Sequence, residues 1–175
     1  MITFLLPEEQ HQHKNGGGWI ANTATVEDSV FVGPDARVSG NAQVCGNARV
    51  CGNAWVYGNA QVSGKARVSG NAWVCGNAWV CGNARVSGNA LVCGNAQVCG
   101  NAQVSGKAWV SGDAQVFGNA QVYEDARVYG NAWVYGDAWQ VKDMARRLTD
   151  AQNEDANREM FGEDSTYISP DMGDK

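Results

Sequence analysis

Val44-Cys45-Gly46-Asn47-Ala48-Arg49-Val50 is one turn of a repeat that runs through most of the chain. Reading outward from it in both directions, every sixth residue from Val26 to Val134 is Val, with no insertion and no slip. Two residues before each Val stands a small or β-branched residue, nearly always Ala, as at Ala42, Ala60, Ala78 and Ala96. Twenty such hexads cover residues 20–139. Val and the Ala two before it point to the same side of a strand, because side chains alternate with period two. Val favours a pleated surface. Gly-Asn then breaks the strand with residues that tolerate a left-handed backbone. Each hexad is therefore a short strand followed by a corner, and it can bury its Val only by stacking on its neighbours. A helix is excluded by a Gly every six residues and by the wrong apolar period.

The pattern resembles the hexapeptide-repeat family of left-handed parallel β-helices. The opening stretch Val26-Glu-Asp-Ser-Val-Phe-Val32-Gly-Pro-Asp-Ala-Arg-Val38 looks like the first hexads of such domains. The Val-Ser-Gly-Asn-Ala-Arg repeats behind Asn15-Gly-Gly-Gly-Trp19 look most like uncharacterised phage and prophage members. The resemblance implies triangular coils of three hexads with the aliphatic residue inside and the small residue within a corner. The expected fold class is thus an all-β solenoid, a left-handed parallel β-helix of about six to seven coils followed by a short C-terminal α-helix.

An 18-residue coil can be checked within the sequence, because residues 18 apart should stack on one face. The residues just before Val form three columns. The first is Trp19, Arg37, Trp55, Trp73, Leu91, Trp109 and Arg127. The second is Thr25, Gln43, Gln61, Trp79, Gln97, Gln115 and Trp133. The third is Phe31, Arg49, Arg67, Arg85, Gln103, Gln121 and Trp139. Four of the seven Trp fall in the first column and none of the column Gln do, which supports the triangular coil independently of any resemblance.

Outside the repeat, residues 1–18 are expected to form an N-terminal cap, with a short strand over residues 2–6 and a polar, solvated segment from Glu8 to Asn15. The solenoid is expected over 19–141. Val141, Met144, Ala145 and Leu148 make a helical stripe, so 142–162 is expected to be a helical segment that folds back over the end of the solenoid. Residues 163–175 are expected to be an acidic flexible tail.

The formal net charge is −5, and residues 142–175 hold nine acids against five bases. A broad basic surface for nucleic acid is therefore not expected. The first residues lack a positive leader and a long apolar run, and no stretch is long enough to span a bilayer, so the sequence points to a cytoplasmic protein with no membrane partner. Cys45, Cys51, Cys75, Cys81, Cys93 and Cys99 all follow a Val. Their spacing lacks the close pairs of a zinc site. Cys75 should stack on Cys93 and Cys81 on Cys99, at a strand spacing that would allow disulfides, but in a cytoplasmic setting the thiols are expected to stay reduced.

Members of the resembled family include acyltransferases that use a His base and carbonic anhydrases that hold zinc on three His. The only His in this chain are His11 and His13, both in the cap. A general base must titrate near neutrality, and His is the usual one. No enzyme activity, cofactor or metal is therefore expected. Trp55, Tyr57, Trp73, Leu91 and Trp109 line one column and its neighbours, the residue types of a protein interface. The resemblance implies a homotrimer with parallel coil axes, and this column is its expected interface. Arg49, Arg67 and Arg85 stack as like charges that an anionic group would relieve. The leading reading is a non-catalytic, trimeric binding or assembly protein of phage or prophage type. The alternatives are sequestration of a small anionic ligand between protomers and a degenerate acyltransferase.

Overall fold

The structure is a computed structural model and describes residues 9–136; the expected C-terminal helix and tail, Trp139 and the expected strand at 2–6 lie outside that range. A division into compact units falls after Ala145.

Among the described residues there are 21 strands. The first two, β1 (Gln10–Gln12) and β2 (Trp19–Ala21), have three residues each. Every later strand is a two-residue pair, one per hexad, from Thr25–Val26 to Trp133–Val134. The pairs stack in parallel with the strand one coil on, Arg67 opposite Arg49 and Arg85, Val68 opposite Val50 and Val86. This stacking makes three sheets of eight, seven and six strands, which are the three sequence columns. We call them the first, second and third faces. The chain is a parallel β-solenoid of about six coils.

The solenoid core is narrow and nearly pure. Val32 through Val134 and the Ala from Ala36 through Ala126 are buried to within 1% of complete. Burying a Val contributes about 1.5–3 kcal/mol, and each coil buries three, so stability accumulates coil by coil. The corners need glycine. Gly64 holds φ +72°, and a Cβ there would lie 2.9 Å from the carbonyl oxygen of Gly82 in the next coil. The Asn that follows most corner Gly contributes differently from the backbone tolerance read in the sequence. Its side-chain amide bonds to the Asn one coil on, as in Asn59 Nδ2 to Asn77 Oδ1 (3.1 Å) and Asn77 Nδ2 to Asn95 Oδ1 (3.0 Å). An amide both donates and accepts, so it can propagate such a ladder indefinitely.

The N-terminal cap differs from the expectation. The segment read as polar and solvated forms β1, which pairs antiparallel with β2, His11 opposite Ile20. Gly18 N–H donates to the Val32 carbonyl at 3.0 Å and Val32 N–H donates to Asn15 O at 3.0 Å, so the lead-in also covers the first strand of the third face. An uncovered sheet edge is a template for unwanted pairing, and the cap removes most of it. His13 is correspondingly buried, at 6% exposure, within hydrogen-bonding distance of Asn15 O (3.2 Å). His11 pairs instead with Asn22 Oδ1 at 2.9 Å. The His-x-His pair is thus split between the cap interior and the surface.

Candidate interaction faces

The first face carries the aromatic column. Strand pairing brings Trp55, Trp73, Leu91 and Trp109 into one register row between Arg37 and Arg127. Beside it runs the row of residues just after Val, which includes Tyr57, Cys75 and Cys93. The upper part is a packed cluster. Trp55 lies 4.9 Å from Tyr57 and 5.9 Å from Trp73, the latter edge to face, and Tyr57 lies 6.3 Å from Trp73. Such contacts add about 0.5–1.5 kcal/mol beyond area burial. Trp55 Nε1 donates to Ser39 Oγ (2.9 Å) and Trp109 Nε1 to Cys93 Sγ (3.3 Å), each reaching diagonally to the previous coil. Trp73 meets Tyr57 at that position, and its indole N–H makes no hydrogen bond among the described residues. Trp73 is 41% exposed and Trp109 42%, while Trp55, Tyr57 and Leu91 are half-buried.

Burial, reinforced by a hydrogen bond and charge interaction with Cys75, pushes the Tyr57 phenol up to about 12. Burial also raises the Cys75 thiol, with its hydrogen bond to Tyr57 acting the other way. Both groups therefore stay neutral at physiological pH, which keeps the face apolar. At its lower end a cleft of about 330 Å³ opens between Trp109, Ser111, Arg127 and Tyr129, with the Arg127 guanidinium 5.9 Å from the Trp109 ring. The sequence reading placed Arg127 in the first column, but neither Arg127 nor Tyr129 was in the expected trimer interface.

The third face brings Arg49, Arg67 and Arg85 into one row, all exposed. Arg49 is set over the Phe31 ring at 4.6 Å. No acidic side chain pairs with any of the three among the described residues; an ion pair joins Lys14 to Asp28 at the N-terminal end instead. Cys51, Ser69, Ser87 and Ser105 run alongside, two residues on, just past each buried Val.

Cysteines also stack. Cys81 and Cys99, on the second face, are joined in a disulfide, with Cα atoms 4.6 Å apart. This corrects the expectation of six reduced thiols: the coil repeat sets these two Cα atoms within the range a disulfide spans. Cys45, Cys51, Cys75 and Cys93 are free. Among the described residues no cluster of three or more His, Cys, Asp or Glu could hold a metal, and no helix is long and apolar enough to cross a membrane.

The profile of one protein family, described as "Bactofilin: Polymer-forming cytoskeletal", matches residues 30–138, well over half of the chain. The chain belongs to the bactofilin family. The family match coincides with the hexad run, so the bactofilin region is the solenoid itself, and the resemblance to hexapeptide-repeat β-helices holds at the level of a stacked β-coil. Among curated proteins none matches the sequence. Among solved structures, the acetyltransferase domain of PglB from Neisseria gonorrhoeae FA1090, in complex with acetyl coenzyme A, is similar at 19% identity with a TM-score of 0.33. That match spans 59% of this chain and only 56% of the other, a likeness too slight to carry over any function.

Proposed function

We propose that this bactofilin is a non-catalytic assembly subunit that associates with copies of itself through the first face. The observation that carries the reading is the row Trp55, Trp73, Leu91, Trp109, in register on successive strands of one parallel sheet and half-buried to exposed. A contiguous apolar patch of this kind is unusual on a monomer, and Trp and Tyr are the anchors of protein interfaces. The family description as polymer-forming supports a second copy as the occupant. The cytoskeletal part of that description supports work inside the cell. The rigid solenoid favours the role, because its face needs no ordering on association.

Side-by-side packing with parallel axes gives a closed trimer, the form expected from the sequence; repeated contacts that do not close give an open polymer. Sedimentation velocity and electron microscopy of the full chain distinguish these forms. Species larger than one chain, growing with concentration, are the expected result. A chain that remains monomeric at the highest attainable concentration would sink the reading.

A further inference from the structure

The charges of the solenoid are segregated along its axis. Between Asp35 and Asp113 the sequence contains no Asp or Glu, yet it carries Arg37, Arg49, Lys65, Arg67, Arg85 and Lys107. The acids of the described residues sit at the two ends, Glu9 to Asp35 above and Asp113 to Asp125 below. A chain with net charge −5 thus has a wholly cationic middle.

These cations gather on the third face. Arg49, Arg67 and Arg85 are in register on successive strands, and Lys65 stands two residues before Arg67, at the corner leading into this face. That corner belongs to an amide ladder. Below it, Asn83 Nδ2 donates to Asn101 Oδ1 (3.0 Å) and Asn101 Nδ2 to Asn119 Oδ1 (2.9 Å). Lys65 occupies the ladder position between Asn47 and Asn83, where it can neither accept nor relay the amide bond. On the opposite corner of the same face, Asn53 donates to Asn71 and Asn71 to Asn89 (3.1 and 3.0 Å), and the next position is Lys107. Both lysines interrupt amide ladders that frame the Arg row. Local stability argues for Asn at both positions, so the cations call for a different explanation.

We infer that the third face, through Arg49, Lys65, Arg67 and Arg85, binds a linear phosphate polymer laid along the solenoid axis. The groups offered are guanidinium forks, an ammonium and the Ser69, Ser87 and Ser105 hydroxyls. All can donate to phosphate oxygens, and Arg matches phosphate geometry in particular. The row repeats at the coil spacing, 4.6 Å between Cα atoms of Cys81 and Cys99, so a ligand with one anionic group per repeat can meet several cations at once. A single-stranded nucleic acid fits less well. Its bases need aromatic platforms beside the phosphate track, and the middle of this face has none, Phe31 and Tyr123 lying at its ends. This site is on a different face from the assembly row and does not depend on it.

The test uses the full chain with inorganic polyphosphate, oligothymidylate and polyglutamate, each titrated at several salt concentrations, beside orthophosphate. Polyphosphate should bind tightest, with affinity falling steeply as salt rises. Lys65→Asn restores the ladder, so it should melt no lower than wild type while losing polyphosphate affinity on the order of tenfold, as should Arg67→Gln. Unchanged polyphosphate binding in both variants would overturn the site. Equal binding of polyglutamate would overturn the phosphate assignment, and tighter binding of oligothymidylate would give the face to nucleic acid instead.

Discussion

Gly106 and Glu124 occupy the same corner in successive coils, so close that a Cβ on Gly106 would lie 2.7 Å from the Glu124 amide nitrogen. Glu124 takes the corner with φ 58°, the one non-glycine residue with positive φ among those described. A left-handed conformation costs a non-glycine residue about 1–2 kcal/mol. Glu124→Gly should therefore raise unfolding free energy by about 1 kcal/mol in denaturant titration. Gly70→Ala should lower it by about 2 kcal/mol or more, since the strain is joined by a 2.9 Å contact with the Gly88 carbonyl oxygen.

The amide ladders make a graded expectation. Asn77 takes part in two ladder bonds, whereas Asn41, at a ladder end, donates one to Asn59 at 3.4 Å. Exposed hydrogen bonds contribute about 0.5–1 kcal/mol each. Asn77→Ala should cost about 1 kcal/mol in chemical denaturation, and Asn41→Ala about half as much.

The Cys81–Cys99 bridge closes a loop of 18 residues. A cross-link of that span restricts the unfolded chain by about 3 kcal/mol in the chain-entropy account. Melting should fall on addition of reductant, and Cys81→Ser should remove that dependence.

The raised Tyr57 phenol gives a pH dependence with a definite sign. The folded state holds the proton up to about 12, against an ordinary value of 10.0. Its contribution to stability is therefore complete below pH 10 and is lost as pH rises through 12. The raised Cys75 thiol acts in the same direction from the ordinary thiol range upward. Tyr57→Phe should flatten the decline in melting temperature across the Tyr57 window.

How much of this was legible in the sequence follows from what a period can encode. The hexad fixed which residues point inward, and the 18-residue columns reproduced the strand register, Trp73 opposite Trp55 and Leu91. Those are consequences of spacing alone. A cap was expected, but its strand was not legible, because Gln10–Gln12 has no apolar alternation and becomes a strand only by pairing with β2. Burial of His13 followed from that pairing and was missed with it. The amide ladders carried a signal, Asn recurring at 18 residues, but Gly-Asn also spells a turn, and the backbone explanation concealed the side-chain one. Lys65 and Lys107 stand out only once the ladder they interrupt is known.

The central claim, assembly through the first face, is tested most directly by comparing Trp73→Glu with Trp79→Glu. The two tryptophans are equally exposed, at 41% and 44%, but stand on different faces. Burying an unpaired carboxylate in an interface costs several kcal/mol, so the substitution should matter only where the interface lies. Sedimentation velocity at matched concentrations should show Trp73→Glu as monomer and Trp79→Glu assembled like wild type. A Trp73→Glu protein that assembles as wild type does, or a Trp79→Glu protein that falls apart equally, would contradict the account.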